Sequence, residues 1–122
     1  MEPKRLLRWL PALALMAVIF WLSSQPDTAL PDFGALDILV KKGAHFTGYA
    51  LLALSYAFAL GPNSGRSIFL SFILTLLYAV TDEIHQSFVP GRHASIWDIA
   101  LDISGALLAL TLLTRPKRNP VP

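Results

Sequence analysis

The sequence predicts an all-α integral membrane protein: a four-helix bundle with both termini on the cytoplasmic side (N-in/C-in). Three observations predict it. Of the 122 residues, 54% are hydrophobic and only 15% are charged, where a soluble domain carries roughly a quarter charged residues. The apolar residues fall into four runs separated by turn signals and charges. The basic residues gather at the ends of those runs, as orientation signals do.

The same numbers exclude other classes. A net charge of +2 with no basic patch argues against a nucleic-acid partner. The chain has no cysteine, which removes disulfides, thiolate chemistry and cysteine-based zinc sites. A length of 122 residues suits a single domain over 1–122.

The first span covers about 6–24, behind Lys4, Arg5 and Arg8. Its basic start and apolar middle resemble a signal peptide. However, Ser23-Ser24-Gln25-Pro26 makes a poor cleavage site and further spans follow, so a retained helix is expected. Pro11 falls in its first turns, where a missing amide costs little. Gln25 to Val40 reads as a linker with Pro26, Pro31, Gly34, Asp27, Asp32 and Asp37. Its last part, Leu36 to Val40, is apolar enough to lie at the interface or to begin the next helix.

The second span covers about 43–60 and stops at the turn signal Gly61-Pro62-Asn63-Ser64-Gly65. The third covers about 67–88. Its apolar part stops at Thr81, but helix is expected to continue through Asp82-Glu83-Ile84-His85-Gln86. Pro90-Gly91 turns the chain, and the fourth span covers about 96–114. Arg115, Lys117 and Arg118 close it, with Pro116 and Pro120 opposing further helix.

Four spans put both termini on one side. The inside then holds Lys4, Arg5, Arg8, Arg66, Arg115, Lys117 and Arg118, and the outside only Lys41, Lys42 and Arg92. With this topology the polar residues converge. Lys42, His45, Tyr49, Leu52 and Tyr56 recur at three- and four-residue steps on the second helix. Tyr78, Asp82 and His85 do so on the third, with Gln86 one turn beyond Asp82. Ser95, Asp98, Asp102 and Gly105 do so on the fourth. Charges in lipid cost at least ~2.5 kcal/mol each, so these stripes should turn inward and face one another at the outer face.

The site candidates follow. Lys42, His45, Tyr49, Asp82 and Glu83 are candidate ligand-binding residues, as are His85, Gln86, Arg92, Asp98 and Asp102. Asp82, His85 and His45 are the candidates for proton transfer, since partly buried carboxylates and imidazoles can be tuned for it. A plainer reading makes the charged set an ion-pair network that locks helices together, or lets Lys41, Lys42, Glu83 and Arg92 snorkel to the headgroups. The histidines would then be hydrogen-bonded interfacial residues. A metal set of His45, His85, Asp82 and Asp98 suits zinc or manganese, but no compact ligand spacing supports it beyond Asp82-x-x-His85. No metal or cofactor is therefore assigned. Trp9, Trp21 and Trp97 read as interfacial belt residues, and Gly105-x-x-x-Ala109 as intramolecular helix packing. Nucleophile elbow, phosphate loop and zinc-protease patterns do not occur.

Four segments carry a resemblance. They are Phe20-Trp21-Leu22-Ser23-Ser24-Gln25-Pro26, Lys42-Gly43-Ala44-His45-Phe46 with Tyr49 and Leu52, Asp82-Glu83-Ile84-His85-Gln86-Ser87-Phe88-Val89-Pro90-Gly91-Arg92, and Ser95, Asp98, Asp102 and Gly105. In these the chain resembles the VanZ-like membrane proteins, named for an accessory protein of glycopeptide resistance. Asp102 departs from the pattern where Asn is commoner, and Ala109 where a second Gly often sits. The resemblance implies a multi-pass protein of the bacterial cytoplasmic membrane and cell envelope, with a link to low-level teicoplanin resistance. It carries no reaction over. The expected partners are membrane lipids and, at the outer-face cluster, an anionic lipid, a cell-wall precursor or a lipoglycopeptide. An intramembrane acid–base enzyme acting on a lipid headgroup and a non-catalytic assembly subunit are the alternatives. The sequence sets no oligomeric state.

Overall fold

The computed structural model describes residues 3–26 and 32–116. Asp27 and Pro31 of the linker, and Lys117, Arg118 and Pro120 behind the last span, lie outside the described residues. The described residues form helices and no strand: α1 (Pro3–Leu7), α2 (Leu10–Ser24), α3 (Asp37–Leu60), α4 (Gly65–Gln86) and α5 (Ile96–Leu113).

α1 and α2 together make the first span, Pro3–Ser24. The break between them falls at Arg8–Trp9, where tighter bonds run from the Arg8 amide to Arg5 and from the Trp9 amide to Leu6. Pro11 stands in the first turn of α2 and has no amide to offer the Leu7 carbonyl. α3 starts earlier than the apolar run from Gly43. A 3₁₀ turn over Gly34–Leu36 feeds it. Asp37 accepts the Phe33 amide at 3.3 Å and pairs with Lys41 one turn on at 2.9 Å. The helix thus begins in the apolar end of the linker, Leu36 to Val40, and these bonds hold its first turn.

α3 ends at Gly61, which adopts φ 102, and Gly91 adopts φ 77 in the loop between α4 and α5. Both are left-handed positions that suit glycine. α4 ends at Gln86 and α5 at Leu113, one or two residues inside the expected bounds. Four helices are long and apolar enough to cross a membrane. The 22 residues of α4 rise ~33 Å, enough for a hydrocarbon core of ~30 Å.

α3 is central, packing against α2, α4 and most extensively α5. The interior combines alanines with a few large side chains. Ala53, Ala57, Ala106 and Leu110 form one cluster between α3 and α5. Ala12, Ile19, Tyr49, Leu52, Tyr56 and Ala79 form the other. Large apolar side chains such as Phe20, Leu39, Phe69 and Leu77 face outward, as lipid contact requires. Between α3 and α5 the approach is closest at Gly105, where a Cβ would strike the backbone carbonyl of Phe46. The Gly105–Ala109 face thus packs within the chain, both residues being buried. Buried Ser71 and Thr75 each bond the carbonyl four residues back at 2.7 Å, which spends their hydroxyls inside α4.

Trp21 and Trp97 are 62% and 79% exposed, as belt residues should be. Trp9 differs: it packs against the core, its ring 6.2 Å from that of Tyr56.

Candidate functional site

The end of α2, the start of α3, the end of α4 and the start of α5 come together at one end of the bundle. The stripe on α3 turns inward, with Tyr49 and Leu52 essentially inaccessible and Tyr56 buried. The same holds for Asp82, Glu83 and Gln86 on α4 and for Asp102 on α5. Their burial follows from the helical repeat: residues three and four apart share one face.

His45 faces Asp102, its Nδ1 3.2 Å from Oδ1. Asp102 is fully buried. Tyr49 donates its hydroxyl to Asp82 Oδ2 at 2.9 Å. The His45 and Tyr49 rings lie nearly parallel, 6.2 Å apart. One ligand atom from each of His45, Asp82 and Asp102 lies within 4.8 Å of the others. Three helices thus deliver a compact N,O,O group. The second oxygen of Asp102, Oδ2, is buried without a hydrogen-bond partner among the described residues, as are Glu83 Oε1 and His85 Nδ1.

Lys42 pairs with Asp98 at 2.6 Å at the more exposed rim, with half of the lysine side chain accessible. Gln86 donates to Ser23 at 3.3 Å, tying α4 to α2.

His85, Glu83 and Arg92 are used differently from Asp82. His85 does not join Asp82. Its ring stacks on Phe20 at 4.5 Å and its Nε2 lies 3.4 Å from Ser24 Oγ, both on α2. Glu83 accepts the Ser95 amide at 2.9 Å, just where α5 begins. Ser95 in turn accepts the Trp97 amide, so it serves as the cap of α5. Arg92 reaches the carbonyls of Gln25 at 3.1 Å and Leu22 at 3.4 Å, closing the C-terminal end of α2. Ser23, Ser24 and Phe20 are site neighbours that carried no charge or spacing signal in the sequence.

Two adjoining cavities open onto this cluster. One, of about 310 Å³, is mainly apolar, with Ile19, Leu22, Phe33, Val40, Ala44 and Gly48 among its walls. The other, of about 360 Å³, is the more polar of the two, with Lys42, Gln86, His93 and Asp98 among its walls. Lys41, His45 and Arg92 line both. The pair lies within the range of small-molecule sites, about 300–1,000 Å³.

Residues 8–115 match the family model described as VanZ/LLP1. The chain belongs to the VanZ/LLP1 family. The match covers most of the first span, all of the other three and every site residue named above, and it bears out the VanZ-like reading of the motifs. This VanZ-like chain matches no curated protein and no solved structure.

Proposed function

We propose that this VanZ-like envelope protein binds an anionic amphiphile at the outer face of the bacterial cytoplasmic membrane. The acyl or polyprenyl chain occupies the apolar chamber and the headgroup the polar one. The observation that carries this reading is the seam between the chambers, where Lys41, His45 and Arg92 line both. A molecule that fills both chambers must be apolar at one end and polar at the other. Charge favours an anion: the polar chamber has three cations, Lys41, Lys42 and Arg92, against two acids, Asp37 and Asp98. An anionic phospholipid, a lipid-linked cell-wall precursor and an acylated glycopeptide all share this chemistry.

The outward orientation is supported by the described basic residues. Lys4, Arg5, Arg8, Arg66 and Arg115 lie on segments at the opposite end of the bundle from the cluster.

The test uses the full chain in detergent and native mass spectrometry with phosphatidylglycerol and phosphatidylcholine. Phosphatidylglycerol should be retained preferentially. Gly48→Leu should abolish that retention by filling the apolar chamber, since a Cβ at Gly48 meets nothing within 4 Å. Equal retention of both lipids, or unchanged retention in Gly48→Leu, would remove the reading.

A further inference from the structure

The group formed by His45, Asp82 and Asp102 has a use that the amphiphile reading does not supply. We infer that these three residues hold a divalent transition cation of the manganese or zinc class in the interior of the bundle. The inference stands independently of what fills the cleft.

Three observations lead to it. First, the donor set is compact and mixed. One atom each from an imidazole and two carboxylates lie within 4.8 Å of one another, and those donors suit manganese and zinc. Second, charge is left over. Asp82 and Asp102 are 4% and 0% exposed. The lysine ion pairs among the described residues go instead to Asp37 and Asp98. Two buried carboxylates with a neutral imidazole carry a charge of −2, which a divalent cation balances. Third, one donor is unspent. Asp102 gives Oδ1 to His45, while its Oδ2 is buried with no partner among the described residues. A buried carboxylate oxygen without a donor is costly, and a cation satisfies it.

Tyr49 completes the arrangement. Its hydroxyl holds Asp82 Oδ2 at 2.9 Å and so fixes the carboxylate in place, as outer partners of metal ligands commonly do. The competing account is a proton on His45, which pairs it with Asp102 and leaves Asp82 to Tyr49. That account needs no metal.

The experiment separates the two. The full chain in detergent is stripped with chelator and dialysed against Mn²⁺ or Zn²⁺, and bound metal is measured by elemental analysis. A single cation per chain is expected. In Asp102→Asn and in His45→Gln, affinity should fall at least about tenfold, with Tyr49→Phe weaker by a similar factor. Pulsed electron paramagnetic resonance of bound Mn²⁺ on the unmodified protein should show nitrogen coupling from one imidazole. This readout does not depend on any variant folding. Failure to retain metal, uptake unchanged in Asp102→Asn, or bound Mn²⁺ without nitrogen coupling would each overturn the inference. These readouts report bound metal and not bound lipid, so these outcomes leave the cleft reading untouched.

Discussion

Asp102 on α5 meets His45 on α3 across 3.2 Å from a position with no solvent access at all. The pair joins the two helices that pack most extensively in the bundle. In a lipid setting such a polar contact is part of what holds helices together, because lipid gives no hydrophobic drive between them. In metal-free buffer, Asp102→Asn should fold normally, since an amide oxygen can still accept from His45. Asp102→Leu leaves His45 without its partner and should cost about 1–3 kcal/mol. Thermal unfolding in detergent, read by loss of helical circular dichroism, gives the comparison.

Gly105 and Gly48 make a paired prediction. A Cβ at position 105 would collide with the Phe46 carbonyl, while one at 48 meets open space. Gly105→Ala should therefore lower stability by about 1–3 kcal/mol through overpacking. Gly48→Ala should raise stability by about 0.5–1 kcal/mol through helix propensity. The opposite signs are checked in the same unfolding measurement.

Glu83 holds the first amide of the α5 cap. Glu83→Ala should loosen the start of α5 at a cost of about 1 kcal/mol, with the rest of the bundle intact. Hydrogen exchange should accelerate at Ser95, Ile96 and Trp97 and not in the middle of α5. Uniform exchange along α5 would count against the capping role.

The orientation can be tested directly because the chain has no cysteine. Single substitutions His93→Cys and Asn63→Cys place a thiol on the loops at opposite ends of the bundle. With both termini inside, an impermeant maleimide added to whole cells should label the first and spare the second. The reverse pattern would invert the topology.

The sequence exposed much of the fold because the membrane imposes simple rules. Runs of apolar residues and the turns at Gly61-Pro62 and Pro90-Gly91 mark the four spans. The start of α3 was less visible. The apolar stretch Leu36 to Val40 left open an interfacial segment or a helix start, and α3 begins there, with Asp37 and Lys41 paired across its first turn. In the site, the repeat of three and four identified which residues turn inward. It did not identify whom they meet. Asp82 and His85 are three residues apart, an offset of some 60° on the helix. That offset is enough to send Asp82 to Tyr49 on α3 and His85 to Phe20 on α2. The metal set His45, His85, Asp82 and Asp98 already drew on three helices, but it includes His85 and Asp98 where the compact group has Asp102. The compact group has one member on each of three, and their relative heights are a tertiary property.

Arg92 and Glu83 teach a related point. Both read as site charges, yet both close helix ends, Arg92 on α2 and Glu83 on α5. An ionisable residue next to a turn has a local employer that spacing arguments overlook.

The contact between Gly105 and Phe46 has a bearing on the polar group above it. Phe46 follows His45 in the chain, and Gly105 lies one turn from Asp102 on the same face of α5. Backbone therefore touches backbone within a single turn of the place where imidazole meets carboxylate. The two helices cannot slide or part there without first breaking that seat. The missing side chain at position 105 acts as a gauge block, setting the distance at which His45 and Asp102 face each other.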